Sequence, residues 1–583
     1  MATAISRDEA LRSRARAWLE VDPDPETRAA ALALLEADDP AALREHFGAR
    51  LAFGTAGMRG ALGPGPNRMN RALVRRVSAG LADYLCAQSV DLEADRRRGV
   101  VVGYDGRVGS RAFAEDTAGV LAARGFVAHL SPTLCSTPVL AFAVHHLGAV
   151  AGVMVTASHN PPGDNGYKVY WRNAAQIIPP HDAGIAAAID QVESAEGTPE
   201  ALSLEAALAA GRLQTLPDAV EAAWRSAVLA QRVHPAPGAR VRFVYTAMHG
   251  VGYAPLGRLL AAAGHDDLHP VVEQVEPDGR FPTVAFPNPE EPGALDLAYA
   301  RARAVDADVV IANDPDADRL AVAIPDRAGQ WRALTGNQVG VLLACDLLAH
   351  GPQDTHRLVA TTIVSSVLLA RIAQTLGVGY AETLTGFKWI ANRALAHEAD
   401  GGRFVMGYEE ALGYSVGPVV RDKDGLSAAL ILLDLVAFEK ARGRTLNDTL
   451  DDLARRFGVS VTAQHSVVLP GTEGAAQIAA LMSRLRATPL GSLGGVEITH
   501  TRDLARPESP ALPTADVLTY DLADGSRILA RPSGTEPKIK FYFEVLETTA
   551  EGEALETARH RADLRLETLR AAFLEHLHGG SHT

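Results

Sequence analysis

Cysteine is nearly absent from this sequence: Cys86, Cys135 and Cys345 are the only three in 583 residues. They are odd in number and far apart, which excludes a disulfide framework and a paired-cysteine zinc motif. No run approaches the ~20 apolar residues of a membrane span. Met1 to Glu20 mixes acids and bases and has no apolar core of a signal peptide. Excess positive charge is missing too. The formal net charge is −14, which disfavours nonspecific binding to nucleic acid and keeps the chain in solution. A cytoplasmic enzyme working on small molecules, without nucleic acid or membrane partners, is the expectation.

What is present is an ordinary globular composition, 47% hydrophobic and 22% charged. The length predicts several domains. Residues 7 to 48 read as helices broken at Asp22-Pro23-Asp24-Pro25. Helix Asn70 to Gln88, strand Val100 to Asp105, helix Ala112 to Arg124 and strand Phe126 to Leu130 follow. This alternation predicts a layered α/β domain with a largely parallel sheet, and active residues at the carboxyl ends of strands. Pro235 to Gly238 reads as a linker. A second alternating unit opens at Val241 and a third near Gly329. The last unit differs: strands near His465, Val496, Val517, Arg527 and Lys538, with two helices, predict α+β with an antiparallel sheet. Phe281-Pro282-Thr283 and Pro287 to Pro292 read as extended, proline-rich connections with no assignable chemistry.

The apolar strand Ala149 to Val155 empties into Thr156-Ala157-Ser158-His159-Asn160-Pro161-Pro162-Gly163-Asp164-Asn165-Gly166-Tyr167-Lys168. Pro161 and Pro162 fix their φ angles and forbid helix, and Gly163 and Asn165-Gly166 are turn residues. Taken alone, Ser158 is a loop serine satisfied by backbone. It is not read as a hydrolase dyad with His159, because neighbouring side chains on an extended loop point apart. The Gly-x-Ser-x-Gly elbow is also missing.

A second apolar strand, Asp308 to Asn313, runs into Asp314-Pro315-Asp316-Ala317-Asp318-Arg319. Three carboxylates in five residues repel one another unless a cation holds them, and hard oxygen ligands select Mg²⁺, Mn²⁺ or Ca²⁺. An EF-hand is excluded, since Arg319 and Pro325 stand where its Gly and Glu belong. Mg²⁺ takes few protein ligands and favours a phosphate oxygen, which Ser158 could bring; Arg319 would then grip that phosphate as a fork. Phe53 to Gly60 is glycine-rich and holds Arg59, but lacks the Walker Lys-Ser/Thr ending. Glu409-Glu410, between Gly407 and Gly413, is an acidic turn whose carboxylates could accept vicinal hydroxyls. Arg421 to Gly425 is either a surface charge cluster or the carrier of a general acid/base, Lys423. Arg531-Pro532-Ser533-Gly534-Thr535 joins a fork donor, two hydroxyls and exposed backbone, which is a nest for phosphate.

These stretches, TASHNPP with NGYK, DPDAD, GYEE and RPSGTEP, resemble in order the loops of the α-D-phosphohexomutases, the phosphoglucomutase and phosphomannomutase superfamily. The likeness runs from about Gly54 to Phe543. It implies three similar layered α/β domains with mixed sheets and a C-terminal α+β domain, four domains around a central cleft. The expected limits are a helical lead-in over 1–50, then 51–216 with the phosphoserine loop and 217–328 with the metal loop. A sugar loop over 329–457 and a phosphate loop over 458–583 complete them. The resemblance implies a phosphorylated Ser158, with Arg59, His159 and Lys168 around the phosphoryl group. It implies Mg²⁺ on Ser158, Asp314, Asp316 and Asp318. Sugar and distal phosphate fall to Arg319, Gly386, Lys388, Glu409, Glu410, Arg531, Ser533, Gly534 and Thr535. Ala411 departs from the Ser that commonly follows the two acids in the family.

GTAGMRG, YTAMHGVGY and FPTVAFPNPEEPGALDLA resemble the branch holding phosphoglucomutases and phosphopentomutases. The expected reaction interconverts glucose 1-phosphate and glucose 6-phosphate, with glucose 1,6-bisphosphate as intermediate and primer. Phosphopentomutase or phosphomannomutase action is the alternative within this class. A Mg-dependent sugar phosphatase would use similar groups, and a non-catalytic sugar-phosphate binder would need neither Ser158 nor three Asp.

Overall fold

The computed structural model describes residues 7–37, 39–194, 197–236, 238–353, 356–469, 474–506, 513–533 and 538–579. Contacts divide the chain into two units. The first takes Met1–Leu334 together with Leu412–Ala441; the second takes Thr335–Ala411 with Arg442–Thr583.

Two sheets build the first unit. In one, the strand order is Met58–Ala61, Asp164–Trp171, Ala151–Val155, Val100–Tyr104, Ala128–Leu130, Leu213–Thr215. Its centre is parallel, and the strands Met58–Ala61 and Asp164–Trp171 run antiparallel at one side. The sheet is therefore mixed. The two central strands are buried along their whole length, as near-continuous Val-rich runs require when helices cover both faces. Helix Arg71–Gln88, capped by the Asn70 side chain on Leu73 N, packs on this core. The other sheet orders Trp331–Ala333, Ala321–Pro325, Val309–Ala312, Phe243–Thr246, Leu268–Pro270 and is likewise mixed. The lead-in helices Arg7–Val21, Pro25–Glu36 and Pro40–Phe47 bury Leu11, Trp18, Leu43 and Phe47 with Ala72 of helix Arg71–Gln88.

In the second unit, Arg357–Thr362 lies between Gly379–Thr383 and Arg403–Glu409, parallel to both. The remaining sheet is antiparallel throughout: Val459–Val468, Lys538–Glu547, Arg527–Pro532, Leu518–Leu522, Val496–Asp503, Ser492–Leu493. Helix Leu555–Gly579 closes its apolar face, with Phe573 edge-on to Phe541 and Phe543. The α/β class and the change of architecture in the last sheet agree with the sequence.

The two stretches expected to be extended, Phe281 to Thr283 and Pro287 to Pro292, instead lie in turns. Phe281 N bonds Asp278 O, Val284 N bonds Phe281 O and Glu291 N bonds Asn288 O. Phe281 has φ of 48°, a left-handed value that reverses the chain where proline alone would extend it. The short elements Leu92–Arg98, Leu204–Ala209 and Leu213–Thr215 had no sequence signal, being too brief for a period to show. Among the described residues, no helix is long and apolar enough to cross a membrane.

Candidate active site

The first unit brings the serine loop and the Asp loop together. Each leaves the carboxyl end of a buried strand, Ala151–Val155 and Val309–Ala312, the place where open α/β sheets present ligand-binding loops. Ser158 is 2% exposed, and its hydroxyl donates to Asp314 Oδ2 at 2.6 Å. Ser158 has φ of 52°, so the loop is not extended at this point. The expected separation of Ser158 and His159 fails for that reason: Ser158 Oγ lies 3.2 Å from His159 Nδ1. Burial, then Arg319 and Arg59, hold the His159 imidazole neutral, well below its ordinary pKa.

Asp314, Asp316 and Asp318 are all buried, and one carboxylate oxygen of each falls within 4.8 Å of the others. Asp316 Oδ1 and Asp318 Oδ1 are buried with no hydrogen-bond partner. Buried carboxylate oxygens are costly to leave unsatisfied. A cluster of hard oxygen donors with orphaned lone pairs fits a divalent cation such as Mg²⁺. Their other oxygens are held by lysines. Lys168 Nζ donates to Asp316 Oδ2 at 2.6 Å and to Asp318 Oδ2 at 2.9 Å. Lys423 Nζ is 3.1 Å from Asp318 Oδ2.

Electrostatics split the triad. Burial, then Asp316 and Asp318, push the Asp314 carboxyl well above the usual range. Burial opposes ionisation of Asp318 too, but Lys168, Lys423 and Arg319 outweigh it and hold its pKa below that range. Asp316 is also lowered, against burial and its neighbour Asp318, by Lys168 and the Thr137 hydroxyl. Lys168 is in turn raised: burial opposes its charge and the two aspartates prevail.

Lys423 arrives from the Leu412–Ala441 excursion. Its neighbour Asp422 accepts from Tyr170 Oη and Gln176 Nε2, each at 2.7 Å. Helix Gly425–Ala441 behind it is pinned by buried Asp434, which accepts two bonds of 2.7 Å from Arg232. Arg59 stands on strand Met58–Ala61 beside Gly166, with Nε buried and unpartnered. Arg319 N donates to Asp314 Oδ1 at 3.0 Å, and its guanidinium lies 3.6 Å from Glu290.

The second unit gathers the residues expected on the sugar side. Glu409 ends strand Arg403–Glu409 rather than sitting in a loop, and its Oε1 accepts from Gly386 N at 2.7 Å. Glu410 N donates to Ser365 Oγ at 3.1 Å. Gly386 to Trp389 is the start of helix Phe387–Ala399, not a loop. Gly386 has φ of 114°, open to glycine and strained for other residues. Lys388 lies in the first turn of that helix, half-buried. Arg531 is on strand Arg527–Pro532 and Ser533 follows it, both half-buried. Gly534 and Thr535 lie outside the described residues. Burial pushes the Tyr542 hydroxyl up, and the charges acting on it are Glu410, Arg531 and Glu409. Both acids and the phosphate-loop arginine thus act on one tyrosine, which sequence reasoning missed.

Thr137, Asp105 and Arg107 were missed as well. Each is joined to the loops by a contact distant in sequence, and none sits in a motif.

Comparison with known proteins finds likeness along most of the chain. The four descriptions of the phosphoglucomutase/phosphomannomutase family match in order. Its alpha/beta/alpha domains I, II and III match residues 50–196, 223–329 and 335–457, and its C-terminal domain matches 472–560. A Haemophilus influenzae protein named "Probable phosphomannomutase" is 45% identical over 491 residues, 82% of this chain and 93% of its own. Human phosphopentomutase is 36% identical over 576 residues, 93% of this chain and 92% of its own. The crystal structure of a phosphoglucomutase/phosphomannomutase family protein from Burkholderia thailandensis shares the fold. Its TM-score is 0.64 at 22% identity, covering 90% of this chain and 97% of that one.

Proposed function

Since the chain belongs to the phosphoglucomutase/phosphomannomutase family of phosphosugar mutases, we propose that Ser158 is the phosphoryl carrier for interconversion of glucose 1-phosphate and glucose 6-phosphate. The observation that carries this is the 2.6 Å bond from the Ser158 hydroxyl to Asp314, inside a buried carboxylate triad. The phosphoryl group leaves Ser158 Oγ for the sugar's free hydroxyl, whose proton is released, and glucose 1,6-bisphosphate results. The phosphate at the other end then returns to Ser158 as that sugar oxygen regains a proton.

The chain's own groups divide the work. Asp314 Oδ2 accepts from the Ser158 hydroxyl and can hold the serine proton when the phosphoryl group arrives, with the neutral His159 ring beside Oγ, its Nδ1 at 3.2 Å. Arg59, with a buried free Nε, and Arg319 supply donors to phosphoryl oxygens that gain charge in flight. Lys168 and Lys423 hold Asp316 and Asp318 ionised. A Mg²⁺ ion held by Asp314, Asp316, Asp318 and a Ser158-borne oxygen would add charge neutralisation at the phosphoryl group. Glu409 and Glu410 take sugar hydroxyls. Arg531, Ser533, Gly534 and Thr535 take the distal phosphate, with Gly386 and Lys388 beside the acids. In this reading the four domains run 51–216, 217–328, 329–457 and 458–583, behind the lead-in 1–50.

Purified protein incubated with glucose 1,6-bisphosphate should gain one phosphoryl mass, mapping to Ser158. Ser158→Ala should neither gain it nor turn over; wild-type turnover in that variant would refute the carrier role. Pentose 1-phosphate is the second reading, favoured by the human phosphopentomutase that matches along 93% of this chain. The ratio of kcat/KM for glucose 1-phosphate and ribose 1-phosphate decides between them.

A further inference from the structure

Arg107 follows the strand Val100–Tyr104, and its side chain is wholly buried. Its guanidinium grips the backbone of the serine loop. One terminal nitrogen donates to Ser158 O and Asn160 O, each at 2.6 Å. The other donates to Pro161 O at 2.8 Å and Asp164 O at 3.0 Å. Four loop carbonyls thus converge on one cation, and a carbonyl so engaged is turned away from any dianion carried by the loop. Asp105 completes the frame. Its Oδ1 accepts from Arg107 N at 3.0 Å, and its Oδ2 accepts from Thr156 Oγ1 at 2.6 Å. Thr156 Oγ1 in turn accepts from Ser158 N at 2.8 Å.

The turn-rich stretch around Phe281, which had no assignable chemistry, closes over this arginine. The Arg107 guanidinium carbon lies 4.9 Å from the Phe281 ring centroid, within cation–π range. Phe281 is 3% exposed. Gly279 is seated so closely that a Cβ there would come within 2.7 Å of Arg107 Cα. Thr283 Oγ1 fixes the far side of the turn, 2.9 Å from His249 Nε2 and 2.8 Å from Gln274 Nε2.

A serine at positive φ persists only where its surroundings over-determine it. We propose that Arg107, lidded by Phe281, is a positioning residue for phosphoryl transfer: it holds Ser158 in its left-handed conformation and so keeps Oγ on Asp314. It acts through the loop and touches neither sugar nor phosphate. A planar fork with five donors can reach four carbonyls, whereas a lysine has three donors on one nitrogen. The inference rests on Ser158 being the carrier.

The test follows phosphorylation of Ser158 by glucose 1,6-bisphosphate, using rapid quench and intact mass, with steady-state kinetics alongside. A displacement of about 1 Å costs roughly a hundredfold in rate. Arg107→Lys should therefore slow both phosphorylation and kcat by about a hundredfold. Its final extent of phosphorylation and its KM for glucose 1-phosphate should stay as in wild type. Phe281→Leu, which keeps the fork and loosens its lid, should slow both by about tenfold and carries the test if Arg107→Lys does not fold. A merely structural role would lower the extent of phosphorylation and leave the rate of the competent fraction unchanged; that result, or wild-type rates in both variants, would overturn the proposal. Ser158→Ala separates the two ideas. If it keeps turning over, the carrier reading is wrong; if it is inactive while Arg107→Lys and Phe281→Leu are normal, only the role of Arg107 is wrong.

Discussion

Thr137 holds Asp316 twice: its hydroxyl donates to Asp316 Oδ2 at 2.6 Å, and its peptide N–H donates to Asp316 O at 3.0 Å. Thr137 opens helix Thr137–His146, so the positive end of that helix faces the carboxylate as well. The pair fixes the orientation of Asp316 and leaves Oδ1 as its unpartnered oxygen.

Thr137→Val keeps the shape and removes the hydroxyl. Partners that orient metal ligands typically contribute ten- to a hundredfold in affinity, so Mn²⁺ should bind about tenfold more weakly. Thr137→Ser should bind as wild type. Mn²⁺ titration followed by electron paramagnetic resonance reads this without any turnover. Equal affinities for the valine variant and wild type would remove Thr137 from the account.

Arg531 is assigned a grip on the distal phosphate and no part in the chemistry. A hydrogen bond to a charged group contributes ~1.5–3 kcal/mol, equivalent to roughly ten- to a hundredfold in binding. Arg531→Ala should raise KM for glucose 1-phosphate by that factor. The phosphoserine formed from a saturating bisphosphate should remain. A variant that loses serine phosphorylation while KM stays unchanged would move Arg531 to the reacting end.

Asp424 gives the fold a pH dependence of unusual sign. It is buried, and burial pushes its carboxyl from 3.8 up to about 6, against hydrogen bonds from Ser427, Trp224 and Leu426. Between those two values the native chain keeps a proton that the unfolded chain has released. Stability from this group is therefore full below about pH 4 and is lost as pH rises through 6, by up to about 3 kcal/mol. Asp424→Asn, which cannot ionise, should lack that slope. Unfolding midpoints of both proteins from pH 4 to 7 should converge or cross in the variant's favour as pH rises. Parallel curves would show that Asp424 does not titrate there.

The loops assigned the chemistry were legible because their residues are contiguous. Ser158 with its prolines, and Asp314, Asp316 and Asp318 at alternate positions, announce themselves within a few residues of a buried strand. Their partners do not. Lys168 reaches Asp316 across 148 positions and Thr137 reaches it across 179, and nothing local to Thr137 or Arg107 marks either one. The architecture could be read from hydrophobic period, including the switch to an antiparallel sheet. Two conformational expectations failed where an L-residue adopts positive φ. Ser158 brought His159 back to its own side, and Phe281 turned a proline-rich stretch onto Arg107. Periodicity assumes ordinary backbone, so such residues are invisible to it.

The excursion Leu412–Ala441 also imposes an order on synthesis. A ribosome that has released the first 334 residues has made most of the first unit but not Lys423, nor the helix that anchors it. Until residue 441 emerges, Asp318 must hold its charge with one lysine fewer than in the finished protein. The nascent first unit thus waits, incomplete, while the ribosome makes Thr335–Ala411 of the second. Chain release at an earlier codon would yield a body lacking one side of its own charge balance.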